Sequence, residues 1–327
     1  MHCPTLNDLP AAPPDKQGWP WTEESQQLPE TMPDGRPWPR ISIVTPSCNQ
    51  GPFIEETIRS ILLQRYPNLE YIVIDGGSTD GTAEIIEKYD PWLEYWVSEE
   101  DKGQSHAINK GFARATGVVG NWINSDDSLC RSALLSIARV IPADRDSRYV
   151  IGAGGVIVND EGHPVRTAAI SPQPSGWPFS FSLALEGGIQ PAYFFSLNLF
   201  RESGGVDPAL HYVMDTDIFN RYGLIGYEAV SIPQQVARFR SHKDAKTRGF
   251  PYQMTLEKLH LYRTYSHIEP ESTPNAMLHV AKRILRSNFA GAPIATRFAM
   301  LCFAFRTAPR LFLNRTNLYQ IYRTVTA

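Results

Sequence analysis

The last 56 residues contain no acidic side chain: after Glu271 come Lys282, Arg283, Arg286, Arg297, Arg306, Arg310, Arg315 and Arg323, and neither Asp nor Glu. The remainder is acidic enough to bring the net charge of the 327-residue chain to -3, from 31 Lys and Arg against 34 Asp and Glu. That balance excludes a dedicated nucleic-acid binder and leaves a polarity to be explained. Cysteine is scarce, and Cys3, Cys48, Cys130 and Cys302 lie too far apart for a zinc or CxxC redox motif, which predicts reduced thiols in a cytoplasmic protein. The first forty residues lack the apolar core of a secretory signal. No apolar run approaches the ~20 residues that cross a bilayer. The longest, Phe298 to Phe305, is flanked by Arg297 and Arg306. Walker-type phosphate loops and Gly-x-Ser-x-Gly elbows are missing, and Gly152-Ala-Gly-Gly155 fails the dinucleotide fingerprint because Ile157 stands at its third glycine.

The chain divides into three stretches. Residues 1–39 are rich in Pro, with Trp19, Trp21 and Trp38 among them, and read as an extended arm packed onto the body. From residue 40 to 250, short β-branched runs alternate with helical periodicity. Strands are expected at Ile41–Thr45 (stopped by Pro46), Glu70–Ile74, Leu93–Val97 and Val118–Ile123, and helices at Phe53–Gln64, Thr79–Tyr89, Ser105–Ala115 and Arg131–Val140. A hairpin around Glu161-Gly162, a strand near Ala192–Ser196 and a helix near Asp215–Tyr222 follow. Repeated βαβ units predict an α/β fold with a mostly parallel, Rossmann-like sheet flanked by helices, and ligands at the carboxyl ends of its strands. Residues 40–130 form one half of this domain and 131–250 the other; residues 251–327 are a basic helical extension.

Four strand-end segments carry candidate chemistry. Asp75-Gly-Gly-Ser-Thr-Asp-Gly81 places two carboxylates around small residues, either to admit a ligand to the backbone or simply to cap the next helix. Asn124-Ser-Asp-Asp127 sets two carboxylates side by side, which repel unless a cation lies near; oxygen ligands of this kind suit Mg²⁺ or Mn²⁺ shared with a diphosphate. In Asp101–Gly111, the side chains of Gln104, Asn109 and Lys110 could bond ribose, sugar or phosphate, with a surface helix as the alternative. At Tyr212–Asp217, Asp215 or Asp217 could take a proton, or merely favour a helix N-terminus. Farther on, His242 is a candidate metal ligand and Lys246 a candidate phosphate contact.

Taken in order, Pro39–Gly51, Tyr71–Gly81, Gly103–Gly111, Trp122–Asp127, Gln190-Pro-Ala and Met214–Asp217 resemble a family 2 glycosyltransferase of GT-A fold, in a bacterial branch with a Trp-Pro-rich arm. The resemblance implies a donor site for a nucleotide-sugar at Thr45, Pro46, Ser47, Asn49, Asp75, Gly76, Gly77, Ser78, Asp80, Gln104, Asn109, Asn124 and Asp126. It implies a divalent cation, Mg²⁺ or Mn²⁺, at Asp126, Asp127 and His242, and Asp215 as the base of an inverting displacement. The sequence departs from the family pattern at Gly76 and Asn124, where Asp is usual, at Met214, where Glu is, and at Cys48, where an aromatic is.

The function expected is transfer of a hexose from a UDP-sugar to a hydroxyl acceptor, saccharide or lipid-linked, in cell-surface polysaccharide or glycolipid synthesis. The departures raise a second expectation, a non-catalytic nucleotide-sugar binding or assembly subunit. A nucleotidyltransferase is disfavoured, since no glycine-rich start with Arg and Lys follows the first strand. For residues 272–327 two readings stand: a helical subdomain packed on the acceptor side, or a peripheral contact with the inner face of the cytoplasmic membrane.

Overall fold

The computed structural model describes residues 3–144, 146–168, 189–246, 252–265 and 292–310, with isolated residues between 278 and 289. Strand β1 (Ile41–Ser47), α1 (Ile54–Leu62), β2 (Leu69–Asp75), α2 (Thr82–Glu87), β3 (Tyr95–Ser98), α3 (Gln104–Phe112) and β4 (Val119–Trp122) form the alternating half. They pair in parallel in the order β3-β2-β1-β4, so the direction of winding reverses between β1 and β4. The second half adds β5 (Ser128–Leu129), α4 (Ala133–Ala138), β6 (Tyr149–Val158), β7 (Pro164–Ala168), β8 (Tyr193–Ser196), α5 (Leu197–Glu202), α6 (Met214–Ile225) and β9 (Glu228–Arg240). Here the sheet continues as β4-β8-β6-β9-β5, with β8 antiparallel to both β4 and β6, and β7 also antiparallel to β6. Helices α7 (Tyr252–Tyr265) and α8 (Ile294–Thr307) follow; most of the helix expected at Met277–Phe289 lies outside the described residues.

Period-two geometry sorts the core. On β1 and β2, Ile41, Ile43, Tyr71 and Val73 face one hydrophobic layer with α1, α2 and α4, while Val44, Ile72 and Ile74 face the other with α3, α5 and α6. Pro46 does not stop β1, which continues to Ser47. Even-numbered residues of β1 face β4, as the Ile123 N–H to Val44 O bond shows, and β4 pairing ends at Val44. The missing N–H of Pro46 therefore falls where no acceptor waits.

The 13-residue β9 is not signalled by alternation. It runs parallel to β6, and the register shifts around Gly154 let Pro233 and Gln234 bulge out between Ile232 and Gln235. Residues 131–140 yield only the six-residue α4, and the helix begun after Asp80 stops at Glu87 rather than at Tyr89.

α1 is buried all round, Arg59 included, because the N-terminal arm covers the face that the sheet does not. The Arg59 guanidinium donates to the carbonyls of Pro10, Pro20 and Trp21 and to Tyr89 Oη, and Trp19 Nε1 donates to Leu129 O at 2.8 Å. Arg59→Met leaves those carbonyls buried without donors. The variant is expected to lose roughly 2–4 kcal/mol of stability. Urea unfolding measures the loss, and faster proteolysis within residues 3–39 locates it.

Candidate active site

A cavity of about 700 Å³ opens at the carboxyl ends of β1 and β4, where the winding reverses. Of the expected site residues it brings together Pro46, Ser47, Gln104, Asn124, Asp126, Asp215 and His242, with Lys246 at its wall. The rest of the expected set lies outside the cavity lining, for physical reasons that differ from residue to residue.

The loops after β1 and β2 are stitched to each other. Asn49 N–H donates to Ser78 Oγ, its side-chain oxygen accepts from Thr79 N–H, and Gly51 N–H donates to Asp80. Asp80 also accepts from the N–H and hydroxyl of Thr82, so it caps α2, and these bonds hold its carboxyl below the ordinary carboxylate range against the opposing effect of burial. Asp75 is fully buried and accepts from Ser78 N–H, Ser78 Oγ and Ser98 Oγ. Thr45 is buried against Tyr71 Oη, and Gly77, at φ +76°, backs onto the Glu100 main chain. Asn109 needs correction as a donor contact: its amide both donates to Val206 O and accepts from Val206 N–H, tying α3 to the turn before α6. Lys110, a candidate ribose, sugar or phosphate contact of the same segment, pairs with Glu99 outside the cavity.

The adjacent acids Asp126 and Asp127 point in different directions. Asp126 faces the cavity, and its Oδ2 lies 3.0 Å from His242 Nε2. Asp127 needs correction as a cation ligand: its carboxyl is buried against β9, accepting from Arg240 N–H at 2.9 Å and Asn124 Nδ2 at 3.2 Å. Burial, then the neighbouring Asp126 charge, hold Asp127 well above the usual carboxylate range. Asn124 rather than Asp at the head of this loop supplies the donor that Asp127 needs, and its oxygen accepts from Gln104 Nε2 at 2.8 Å. Gln104 Oε1 in turn accepts from Lys246 Nζ at 3.3 Å, and burial lowers the Lys246 pKa.

Of the two acids on α6, geometry separates the roles. Asp217 is buried, paired with Arg221 at 2.8 Å and bonded by Tyr265 Oη at 2.7 Å. Asp215 lines the cavity and accepts from the N–H and hydroxyl of its neighbour Thr216. Burial raises its pKa above the usual carboxylate range. The loop leading to Asp215 is fixed by a residue without a sequence signal: Glu257 of α7 accepts from the N–H groups of His211, Tyr212 and Val213.

Asp126 and His242 also answer whether a divalent cation fits. Two neighbouring ligands on an octahedral Mg²⁺ or Mn²⁺ with bonds of about 2.1 Å stand about 3 Å apart, close to the Asp126–His242 spacing. The pair fits a cation whose remaining positions come from diphosphate and water. Among the described residues no cluster of three or more His, Cys, Asp or Glu ligands exists.

Beneath the cavity lies Arg240, also unmarked by any motif. Its guanidinium meets Glu56 of α1 at 2.8 Å, Asp126 O at 3.0 Å and the carbonyls of Asn159 and Asp160. Arg240→Met strands a buried Glu56 and frees the Asp126 loop. The expected loss is about 3–5 kcal/mol; chemical denaturation reads it directly, with Arg240→Lys recovering part of it.

Residues 42–194 match the family model described as Glycosyl transferase family 2. Bacillus subtilis TuaG, whose name assigns it to teichuronic acid biosynthesis as a glycosyltransferase, is 39% identical over 92 residues, 27% of this chain and 36% of that protein. The chain thus spans about a third of the length of this and two other curated relatives. Among solved structures, S. aureus TarS superimposes with a TM-score of 0.59 at 16% identity, over 88% of this chain and 54% of TarS. TarS has also been solved in complex with UDP-GlcNAc; that structure superimposes with a TM-score of 0.53 at 17% identity, over 87% of this chain and 79% of that one. The mannosyltransferase PcManGT from Pyrobaculum calidifontis, in complex with GDP-Man and Mn²⁺, has a TM-score of 0.50 at 18% identity, over 93% of this chain and 88% of that one. The ordered strand-end motifs, the fold and the matched segment agree: residues 42–194 match glycosyl transferase family 2, and the fold is that of the GT-A glycosyltransferases.

Proposed function

We propose that the chain is an inverting glycosyltransferase that moves a hexose from a UDP-sugar to a hydroxyl acceptor, saccharide or lipid-linked, in cell-surface polysaccharide or glycolipid synthesis. The observation that carries this reading is Asp215: an acid with a raised pKa in the same cavity as the Asp126–His242 pair. TarS bound to UDP-GlcNAc and TuaG, assigned to teichuronic acid synthesis, support the donor class and the setting.

In this mechanism Asp215 accepts the proton of the acceptor hydroxyl as its oxygen bonds to the anomeric carbon. The carbon–oxygen bond to the diphosphate breaks on the opposite face, which inverts the centre, and the electron pair leaves with the nucleoside diphosphate. A cation held by Asp126 and His242 supplies charge neutralisation for that leaving group. Gln104 holds Lys246 at the cavity wall, where its ammonium meets phosphate. Asn124 and Arg240 keep the Asp126 loop in place.

Because the Asp215 pKa is raised, the base form is gained as pH rises through a value above the ordinary aspartate range. Transfer is expected to climb over the same interval. Asp215→Asn should lower kcat about 10³-fold, remove that acid limb and leave donor affinity unchanged. Chelation of metal should stop transfer in the wild type, and Mn²⁺ should restore it. Donor binding without turnover across an acceptor panel would instead favour the binding-subunit reading.

The reading includes a peripheral contact with anionic membrane. α8 buries Met300, Leu301 and Ala304 in the core and exposes Ile294 and Phe298, 71% and 53% accessible, with Arg306 exposed in its last turn and Arg310 just beyond it. No described helix is long and apolar enough to cross a membrane. The exposed apolar face and the basic segment after Glu271 suit a surface of phosphatidylglycerol. Flotation with phosphatidylglycerol vesicles should recover the wild type, and Ile294→Glu with Phe298→Glu should abolish recovery. Equal flotation of both would sink the membrane contact.

A further inference from the structure

The nucleotide end of the cavity carries one acid whose role no motif assigns. Pro46, Ser47 and Cys48 from the loop after β1, and Asp101 and Gly103 from the loop before α3, form its wall. The two acids expected there are unavailable. Asp75 is fully buried with its three donors, and Asp80 is bonded to Gly51 and Thr82. Position 76, where the family pattern has an Asp, is glycine, and its lack of a side chain is used. A Cβ on Gly76 would stand 2.9 Å from Asp101 Oδ2 and 3.1 Å from Asp101 Cγ. The Asp101 carboxylate thus occupies the space that a side chain at 76 would take.

We infer that Asp101 reads the nucleobase in place of the missing acid at 76, and that it selects uracil or thymine, whose ring N3 carries a proton, over cytosine and adenine. This deepens the UDP-sugar reading and rests on it. The selection follows from the ring nitrogen that the base presents. Asp101 Oδ1 accepts from Gly103 N–H at 2.6 Å, and Oδ2 has no donor among the described residues. That oxygen is a partner for a ring N3–H. Cytosine and adenine pair an amino donor with a ring-nitrogen lone pair, which a carboxylate repels. A buried mismatch of this kind leaves polar groups unpaired.

The test is calorimetry with UDP, dTDP, CDP and GDP in Mn²⁺ on the full chain. The wild type should bind UDP and dTDP at least about tenfold more tightly than CDP. Asp101→Asn should weaken UDP about tenfold and narrow the gap to CDP, because a carboxamide offers cytosine both a donor and an acceptor. The thermal midpoint of this variant, measured without nucleotide, should match that of the wild type. Moving the acid back, with Gly76→Asp and Asp101→Gly together, should keep UDP affinity within about threefold. An unchanged UDP-to-CDP ratio in Asp101→Asn, with UDP-sugar still turned over, overturns the role of Asp101 and leaves the proposed function standing. A wild type that prefers GDP, or binds no nucleotide, overturns both.

Discussion

Burial of the Arg240 guanidinium joins the parts of this molecule that have to meet. Three segments converge on it from outside β9: α1 through Glu56, the loop after β4 through Asp126 O, and the turn between β6 and β7 through Asn159 and Asp160, while the Arg240 main-chain N–H donates to Asp127. A charge with almost no access to water is tolerable only when its donors are satisfied, and here every partner is an acid or a carbonyl at hydrogen-bond distance. The same contacts that make the charge bearable fix the direction of Asp126. Thr57 of α1 adds to that support, its hydroxyl lying at hydrogen-bond distance from Ser125 O and Asp127 O. The order of the site is therefore a consequence of solvating a buried cation with protein.

Identical side chains do different work because the fold gives them different neighbours. Asp126 and Asp127 are consecutive, yet one turns to the cavity and the other to the β9 main chain. Asp215 and Asp217 share one helix turn, yet Asp217 is paired with Arg221 and bonded by Tyr265 while Asp215 lies beside the cavity and, among the described residues, is bonded by Thr216. Asp75 and Asp101 stand on neighbouring strand-end loops, and only Asp101 keeps an oxygen free. In each pair, the acid bonded by the protein shapes the loop and the acid left over is available to a ligand. Asn124 belongs to the same logic, since an amide can donate to Asp127 and accept from Gln104 where a third carboxylate would add repulsion.

The segment after β9 is tied into this arrangement. Glu257 of α7 accepts three successive N–H groups ahead of α6, and Tyr265 of the same helix bonds Asp217. Met254, Leu259 and Leu261 of α7 share a core with Ile218, Phe219 and Tyr222 of α6. α8 is two-sided, packing one apolar face inward and leaving another accessible beside basic residues. Subdomain packing and an outward-facing apolar surface thus coexist on a single helix.

The sequence alone determined the alternating half of the fold and the location of the site. Period-two and period-3.6 patterns are local, so β1 to β4 and their helices were readable from Ile41 onward, within a residue or two at most ends. Strand-end loops then followed from topology, and the cavity lies there. The end of β1, the run of β9 and the purpose of each acid were beyond that reading. Whether Pro46 interrupts β1 depends on where β4 stops, and β9 is held by pairing with β6 across a bulge rather than by its own alternation. Arg240 and Glu257 carry no local signal because their partners lie tens of residues away. Spacing places a carboxylate on a loop. Which way it faces is set by whichever donors the tertiary fold brings within about 3 Å, and that competition between protein and ligand for each oxygen exists only once the chain has folded.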